Sequence, residues 1–354
     1  MNKLKFIKHF YLGILSMFLV FSCNFPPDEE FFIPFEVGEV ENPVTLTQII
    51  IARDDFSIME TAMRLIEERG DTKILSEFNV PGATTIFVPN DTAFQTWLDE
   101  NEIDDLALLD IELIERLIMN HVLPGGIQTS ANFVTGLTSS TAEVGPRGQE
   151  RNVSMYIDTT NGVTINGESN VIDADVEANN GIIHVVDTVI DLPVLLDLSN
   201  MIPSLSIFND AVNFAQTARD EDGNGPNLRF RLVDPGAERT LFMPTNDAFA
   251  DLLAELGVAE LSEADPSVVA DAIFTHLIDI APISSSEFIA RGRPFPIPAF
   301  NNELLFIDPT DATNITVTDP NGRTANLDSG LIDLVAINGL VHVIDRVLLA
   351  EPEM

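Results

Sequence analysis

The sequence predicts an α+β fold built as two tandem units of about 150 residues each. Three observations predict it. Asn180-Gly181-Ile182-Ile183-His184-Val185-Val186-Asp187 returns 158 residues later as Asn338-Gly339-Leu340-Val341-His342-Val343-Ile344-Asp345. Thr85-Ile86-Phe87-Val88-Pro89-Asn90-Asp91-Thr92-Ala93-Phe94 returns 155 residues later as Thr240-Leu241-Phe242-Met243-Pro244-Thr245-Asn246-Asp247-Ala248-Phe249. Within each unit, apolar spacing of helical period fills the first half, and short alternating runs between Gly, Asn and Pro fill the second.

From the start of the chain, Lys3, Lys5 and Lys8 precede an apolar run from Phe10 to Phe21, the pattern of a secretory signal over residues 1–22 rather than of a membrane span. Val20-Phe21-Ser22-Cys23 resembles a bacterial lipobox, which implies acylation of Cys23 as the first mature residue and a membrane partner through that lipid. Cys23 is the one cysteine of the chain, so no disulfide forms within it. Residues 23–42 read as a tether: Asp28, Glu29, Glu30, Glu36, Glu39 and Glu41 stand there with three prolines and no Lys or Arg. The early acidic cluster resembles the export signals of surface lipoproteins, implying an outer-membrane anchor that faces the periplasm or the exterior; a solvated spacer is the alternative.

The first unit is expected over residues 43–192 and the second over 198–350, joined by a short polar, Pro-bearing segment open to proteolysis. Leu46 to Ile66 is helical in pattern. In the Thr85 and Thr240 phrases a short strand stops at proline, and Asn90 or Thr245 stands where a helix N-cap belongs, with Asp91 or Asp247 in the positive first turn. Ile111, Ile114, Leu117 and Ile118 lead a helix to His121, stopped by Pro124-Gly125-Gly126; the twin of His121 is His276. Val134 to Val176 and Phe288 to Ala336 read as sheet. In each Asn-Gly phrase, residues that tolerate positive φ feed a strand whose near-continuous aliphatic run suits burial on both faces.

A third pair opens each unit, Phe56-Ser57-Ile58-Met59-Glu60-Thr61-Ala62 against Leu205-Ser206-Ile207-Phe208-Asn209-Asp210-Ala211. The Phe-Ser helix, the Thr-x-Phe-x-Pro box and the closing Asn-Gly-x-x-His-Val box, each present twice in the same order, resemble the fasciclin-type domain, an extracellular adhesion module. The resemblance implies two tandem fasciclin-type domains, each a wedge-shaped β-sandwich with helices packed at one edge. In that family a Tyr-His pair linked to integrin recognition stands at the helix end, whereas here Asn120 and Thr275 take the tyrosine position, so that activity is not carried over.

The residues offer little for catalysis. Apart from His9 the histidines are two matched pairs, His121 with His276 and His184 with His342, and each reads as a hydrogen-bonded structural residue or a partner-contact candidate. His-x-x-x-His, His-Glu-x-x-His and Cys-x-x-Cys spacings are missing from the sequence, and Gly125-Gly126 follows a helix where a phosphate cradle would precede one. The second unit gains six residues between Thr217 and Glu238, among them Asp220, Asp222 and Asn224 with Gly225 behind. That spacing opens like a calcium loop, but Arg231 occupies the position of the bidentate glutamate. A looser calcium site borrowing Asp234 or Glu238, or a solvated loop, remains.

The formal charge is −38, and removal of Met1 to Ser22 with its three lysines takes it to −41. Nucleic acid and anionic lipid are poor partners for such a chain. One Trp and two Tyr make a poor stacking platform for sugars. The expectation is a non-enzymatic, surface-anchored adhesion protein with no cofactor, whose partner is an extracellular protein or polysaccharide. The alternative is a cell-envelope binding protein for a small or polymeric ligand.

Overall fold

The computed structural model describes residues 44–351 apart from 71–73, 75–77, 79–83, 146–148 and 223–226. The signal segment, Cys23 and the tether lie outside the described residues, and both repeats belong to the compact unit Asn42–Met354. No helix among the described residues is long and apolar enough to cross a membrane.

In the first repeat, Thr45 opens α1 (Leu46–Ala52) with a capping box: its hydroxyl accepts from the Gln48 N–H at 3.2 Å while Gln48 Oε1 accepts from the Thr45 N–H at 2.9 Å. The helix expected to run on to Ile66 breaks at Arg53, whose backbone is extended. At that break the Arg53 side chain bridges Asp55 at 2.8 Å and Asp173 at 3.1 Å and lies over the Phe56 ring at 4.4 Å. A new helix, α2 (Ser57–Arg69), then buries Met59, Ala62, Met63 and Ile66, one stripe at helical spacing. Strand β1 (Thr84–Pro89), α3 (Asp91–Glu100) and α4 (Ile111–Asn120) follow, with Asn90 accepting from the Ala93 N–H at 2.9 Å as the N-cap of α3.

The remaining strands, β2 (Val122–Leu123), β3 (Gly136–Val144), β4 (Arg151–Asp158), β5 (Thr164–Ile165), β6 (Ser169–Ala178) and β7 (Gly181–Val186), join β1 in one sheet of order β2-β1-β7-β6-β5-β4-β3. β1 and β7 are parallel, with Phe87 opposite His184, and both are buried on two faces. Ile86, Val88, Ile183 and Val185 point into the core under the helices, whereas Phe87 and Val186 point into a second core with Met155, Ile157 and Ile165 of the returning strands. Register shifts at Asp173 bend β6 from one layer into the other, which closes the wedge.

The second repeat copies this plan through α5 (Leu198–Met201), α6 (Ser206–Asp222), α7 (Leu228–Val233), β8 (Arg239–Pro244), α8 (Asn246–Leu256), α9 (Pro266–His276), β9 (Leu277–Ile278) and α10 (Ser285–Arg291). Its strands are β10 (Phe295–Pro298), β11 (Leu304–Asp308), β12 (Thr316–Thr318), β13 (Thr324–Asn326), β14 (Leu334–Ala336) and β15 (Gly339–Ile344). The strand that is continuous in β6 is here split into β13 and β14, leaving two four-stranded sheets, β14-β15-β8-β9 and β10-β11-β12-β13. The architecture is thus α+β, two tandem sheet-and-helix wedges, as the sequence predicts.

Two expectations are corrected. The joint is packed rather than exposed: Leu195 and Leu196 are 0% and 1% exposed within the second core, and the Ile337 N–H donates to Pro193 O at 2.9 Å. The repeats also dock on one another, since Val335 N–H donates to Ser154 Oγ at 2.8 Å and Leu137 and Tyr156 of the first repeat pack against the core of the second. The second correction concerns the acidic insertion. Helix α6 continues through Asp222, so Asp220 and Asp222 stand in helix and not in an open cation-wrapping loop, while Asn224 lies outside the described residues.

Candidate functional site

The two histidine pairs organise matching networks in the two repeats. On β7, His184 Nε2 donates to Gln128 O at 2.9 Å, and Nδ1 accepts from the Asp175 N–H at 3.3 Å. A carbonyl cannot donate, so the ring is the neutral Nε2–H tautomer. Burial pushes its pKa down. Asp175, at φ 62°, accepts from the Ser130 N–H at 2.7 Å and from the Ser130 hydroxyl at 2.5 Å. The second copy repeats the pattern: His342 Nε2 donates to Ile283 O at 2.8 Å, Nδ1 accepts from the Asp333 N–H at 3.4 Å, and Asp333 accepts from the Ser285 N–H at 2.8 Å and from the Ser285 hydroxyl.

Serine, histidine and aspartate therefore meet twice, but in an order that cannot activate a nucleophile. A triad needs the serine proton to pass to a free histidine nitrogen. Here the serine donates to the aspartate, holding the Asp175 carboxyl below the ordinary range in the first repeat, and both histidine nitrogens are engaged by backbone. Asp175, Asp333, Ser130 and Ser285 do not stand out in the sequence by motif. The offsets could have found them, since the aspartates lie 158 and the serines 155 residues apart.

The other pair closes each domain. His121, just past α4, donates from Nδ1 to Leu117 O at 2.8 Å and accepts at Nε2 from the Ile190 N–H at 3.0 Å. His276, the last residue of α9, does the same with Ala272 O at 2.6 Å and the Leu348 N–H at 2.9 Å. Complete burial lowers both rings to a pKa of about 4. Beside His121, Asn120 donates to Ile190 O and Asp191 O, both at 3.0 Å, and so takes up the carbonyls of the same closing segment. Thr275 turns instead to Asp271 O at 2.8 Å.

The Asn-Gly phrase forms the turn into each buried strand, with Ala178 paired to Gly181 and Ala336 to Gly339, and its asparagine reaches beyond that turn. Asn180 Oδ1 accepts from the Leu46 N–H at 2.9 Å and its amide donates to Phe78 O; Asn338 accepts from the Leu195 N–H at 2.8 Å and donates to Leu232 O at 3.0 Å. Each asparagine thus clamps the entry segment of its own domain. The glycines are required by close approach: a Cβ at Gly181 would collide with the Thr84 carbonyl, and one at Gly339 with the Arg239 carbonyl on the parallel neighbour. In the box, Asp91 accepts from the Ile58 N–H at 2.9 Å and Asn246 from the Ile207 N–H at 2.9 Å, docking the Phe-Ser helix on the box.

Among the described residues no group of three or more His, Cys, Asp or Glu could hold a metal ion. A cleft of about 190 Å³ lies between the repeats, where Arg151 and Glu287 approach to 3.6 Å.

The fasciclin domain family model matches residues 57–193 and 205–350. The chain belongs to the fasciclin family. A Sus scrofa relative, transforming growth factor-beta-induced protein ig-h3, is 24% identical over 295 residues, covering 82% of this chain and 38% of that protein. The chain thus spans little more than a third of that relative's length. The Synechocystis protein sll1735 is 31% identical over 145 residues, 41% of this chain and 96% of its own length. Among solved structures, a FAS1 domain pair from the insect cell adhesion molecule Fasciclin I aligns with a TM-score of 0.46 at 17% identity, covering 82% of this chain and 96% of that one. The family's closing and box motifs coincide with the clamps described above, which places its sequence signature on the residues that hold the fold together.

Proposed function

We propose that this chain is a surface-anchored, non-enzymatic interaction lipoprotein, held to the outer membrane by lipid on Cys23 and presenting two docked fasciclin domains to other cells, matrix or surface polymers. A general adhesion or interaction role accompanies membership of the fasciclin family. The observation that carries the non-enzymatic reading is the state of the histidines. Each of the four in the two repeats has both ring nitrogens committed to backbone groups, and the neighbouring serines are committed to aspartates. The partner is an extracellular protein or a polysaccharide, and the acidic surface disfavours nucleic acid.

The experiment is membrane fractionation of wild type and Cys23→Ala, followed by a glycan array and a surface pull-down with the released protein. Wild type is expected in the membrane fraction and Cys23→Ala in the soluble one, because a single acylated residue supplies the anchor. Unchanged fractionation removes the lipid anchor. A hydrolytic activity that vanishes with His184→Ala or His342→Ala in a folded protein removes the non-enzymatic reading.

A further inference from the structure

The two repeats treat one equivalent sheet face in opposite ways. In the first, β3 and β4 set Leu137 opposite Tyr156 and Ser139 opposite Ser154. In the second, β10 and β11 set Pro296 opposite Phe306 and Pro298 opposite Leu304. Matching turns fix the alignment, since Asp158 and Asp308 each accept from the N–H and hydroxyl of the threonine two residues on, at 2.8 and 2.6 Å and at 3.0 and 2.6 Å. On the first repeat this face is covered by the second domain, which packs on Leu137 and Tyr156 and bonds Ser154. On the second repeat it is bare: Leu304 is 49% and Phe306 48% exposed, and both prolines are exposed.

This face is uncharged across Pro296, Pro298, Leu304, Phe306, Thr318 and Thr324, in a chain of net charge −38, and the carboxylate that shares it, Asp308 at the end of β11, is taken up by the N–H and hydroxyl of Thr310. Its free edge is closed to strand addition. The Ala299 N–H bonds back to Glu303 O, so odd-numbered residues face β11 and the prolines fall on the outward side, where they present no N–H. A contact must therefore use the face.

Another copy cannot dock there as the second domain docks on the first. The docking strand offers the Val335 N–H and Ile337, which packs on the core of the first repeat. The residues in register in the first repeat are Glu177 and Asn179, both exposed, and covering an apolar face with Glu177 would bury a carboxylate. Like against like avoids that cost, and a two-fold contact presents the same patch twice.

We propose that the outer face of β10 and β11, centred on Leu304 and Phe306, is a self-association surface on which a second copy of this chain packs face to face. The inference stands independently of the anchoring and adhesion roles proposed above. The flat face measures on the order of 250 Å² from strand and residue spacings, against about 800 Å² per partner in a standard interface, so the dimer is weak and concentration-dependent.

Sedimentation velocity of the full chain over a concentration series tests it, with wild type, Phe306→Asp and Phe306→Lys compared side by side so that any association through residues 1–43 is common to all. The wild-type average mass is expected to rise toward the dimer, more so in added salt as like-charged copies are screened. Each variant is expected to associate at least tenfold more weakly at an unchanged melting temperature, and an equimolar mixture of the two to regain the dimer. If a variant melts lower, Leu304→Asp takes its place. Wild type that stays monomeric, variants that dimerise like wild type, or a mixture that fails to restore a lost dimer each overturn the proposal. Loss of binding to phosphatidylcholine vesicles in Phe306→Asp, with no self-association in wild type, would overturn it in favour of a lipid surface.

Discussion

His276 Nε2 accepts the Leu348 amide at 2.9 Å across 72 residues of chain, and in doing so ties the end of helix α9 to the segment that leaves β15. His121 and Ile190 make the same tie in the first domain. Replacing either ring by alanine leaves a buried N–H without its acceptor and opens a cavity in the core. The expected cost is about 3 kcal/mol for each substitution, read as a lowered urea midpoint at unchanged slope.

The same rings make stability depend on pH. In the folded chain both titrate at about 4, below the ordinary 6.5 that unfolding restores. The unfolded state therefore binds protons first as pH falls, and stability drops between pH 6.5 and 4. The loss by pH 4 is roughly 3 kcal/mol for each histidine. Urea melts at pH 7.5 and 5 measure it, and His121→Asn should flatten the slope in that window. A wild-type stability that is level from pH 7 to 5 would contradict the buried neutral rings.

Gly339 and Gly322 separate close approach from backbone strain. At Gly322, φ 79°, an added side-chain carbon would meet nothing within 4 Å, whereas at Gly339, φ 151°, it would meet the Arg239 carbonyl. Gly322→Ala should cost about 1 kcal/mol from backbone strain alone. Gly339→Ala should cost more than about 3 kcal/mol because β8 and β15 must separate. Thermal melts of the two variants side by side check the order.

The packed joint predicts where the second domain begins. A fragment starting at Leu198 omits Leu195 and Leu196, whose full burial is worth about 2 kcal/mol each. A fragment starting at Asp191 should melt distinctly higher than one starting at Leu198, and protease should not cut within the joint of the intact chain. Equal melting of the two fragments would place the joint outside the core.

Much of this is legible in the sequence because the repeat reports on three-dimensional equivalence without any structure. The aliphatic runs around His184 and His342 announce strands buried on two faces, and the proline-plus-cap phrase announces strand then helix. What stays hidden depends on long-range pairing. Asp175 reaches positive φ through bulges in β6 that leave no trace in periodicity, and its partner Ser130 is 45 residues away. The joint reads falsely as a linker because Asp191, Pro193 and Asp197 carry linker chemistry, although Leu192 is buried in the first core and Leu195, Leu196 and Leu198 in the second. The start of the acidic insertion reads as a loop from its Asp and Gly residues, whereas α6 runs on through Asp222 and takes in two of the three candidate calcium ligands.

The asparagine clamp has a mechanical consequence. The first described residue, Val44, accepts the Asn179 N–H at 3.0 Å, and Leu46 is held by Asn180, which immediately precedes β7. β7 is an interior strand, flanked by β1 and β6. A pull applied at Val44 therefore loads the middle of the seven-stranded sheet, and it must break the asparagine clamp before any edge strand can be peeled away.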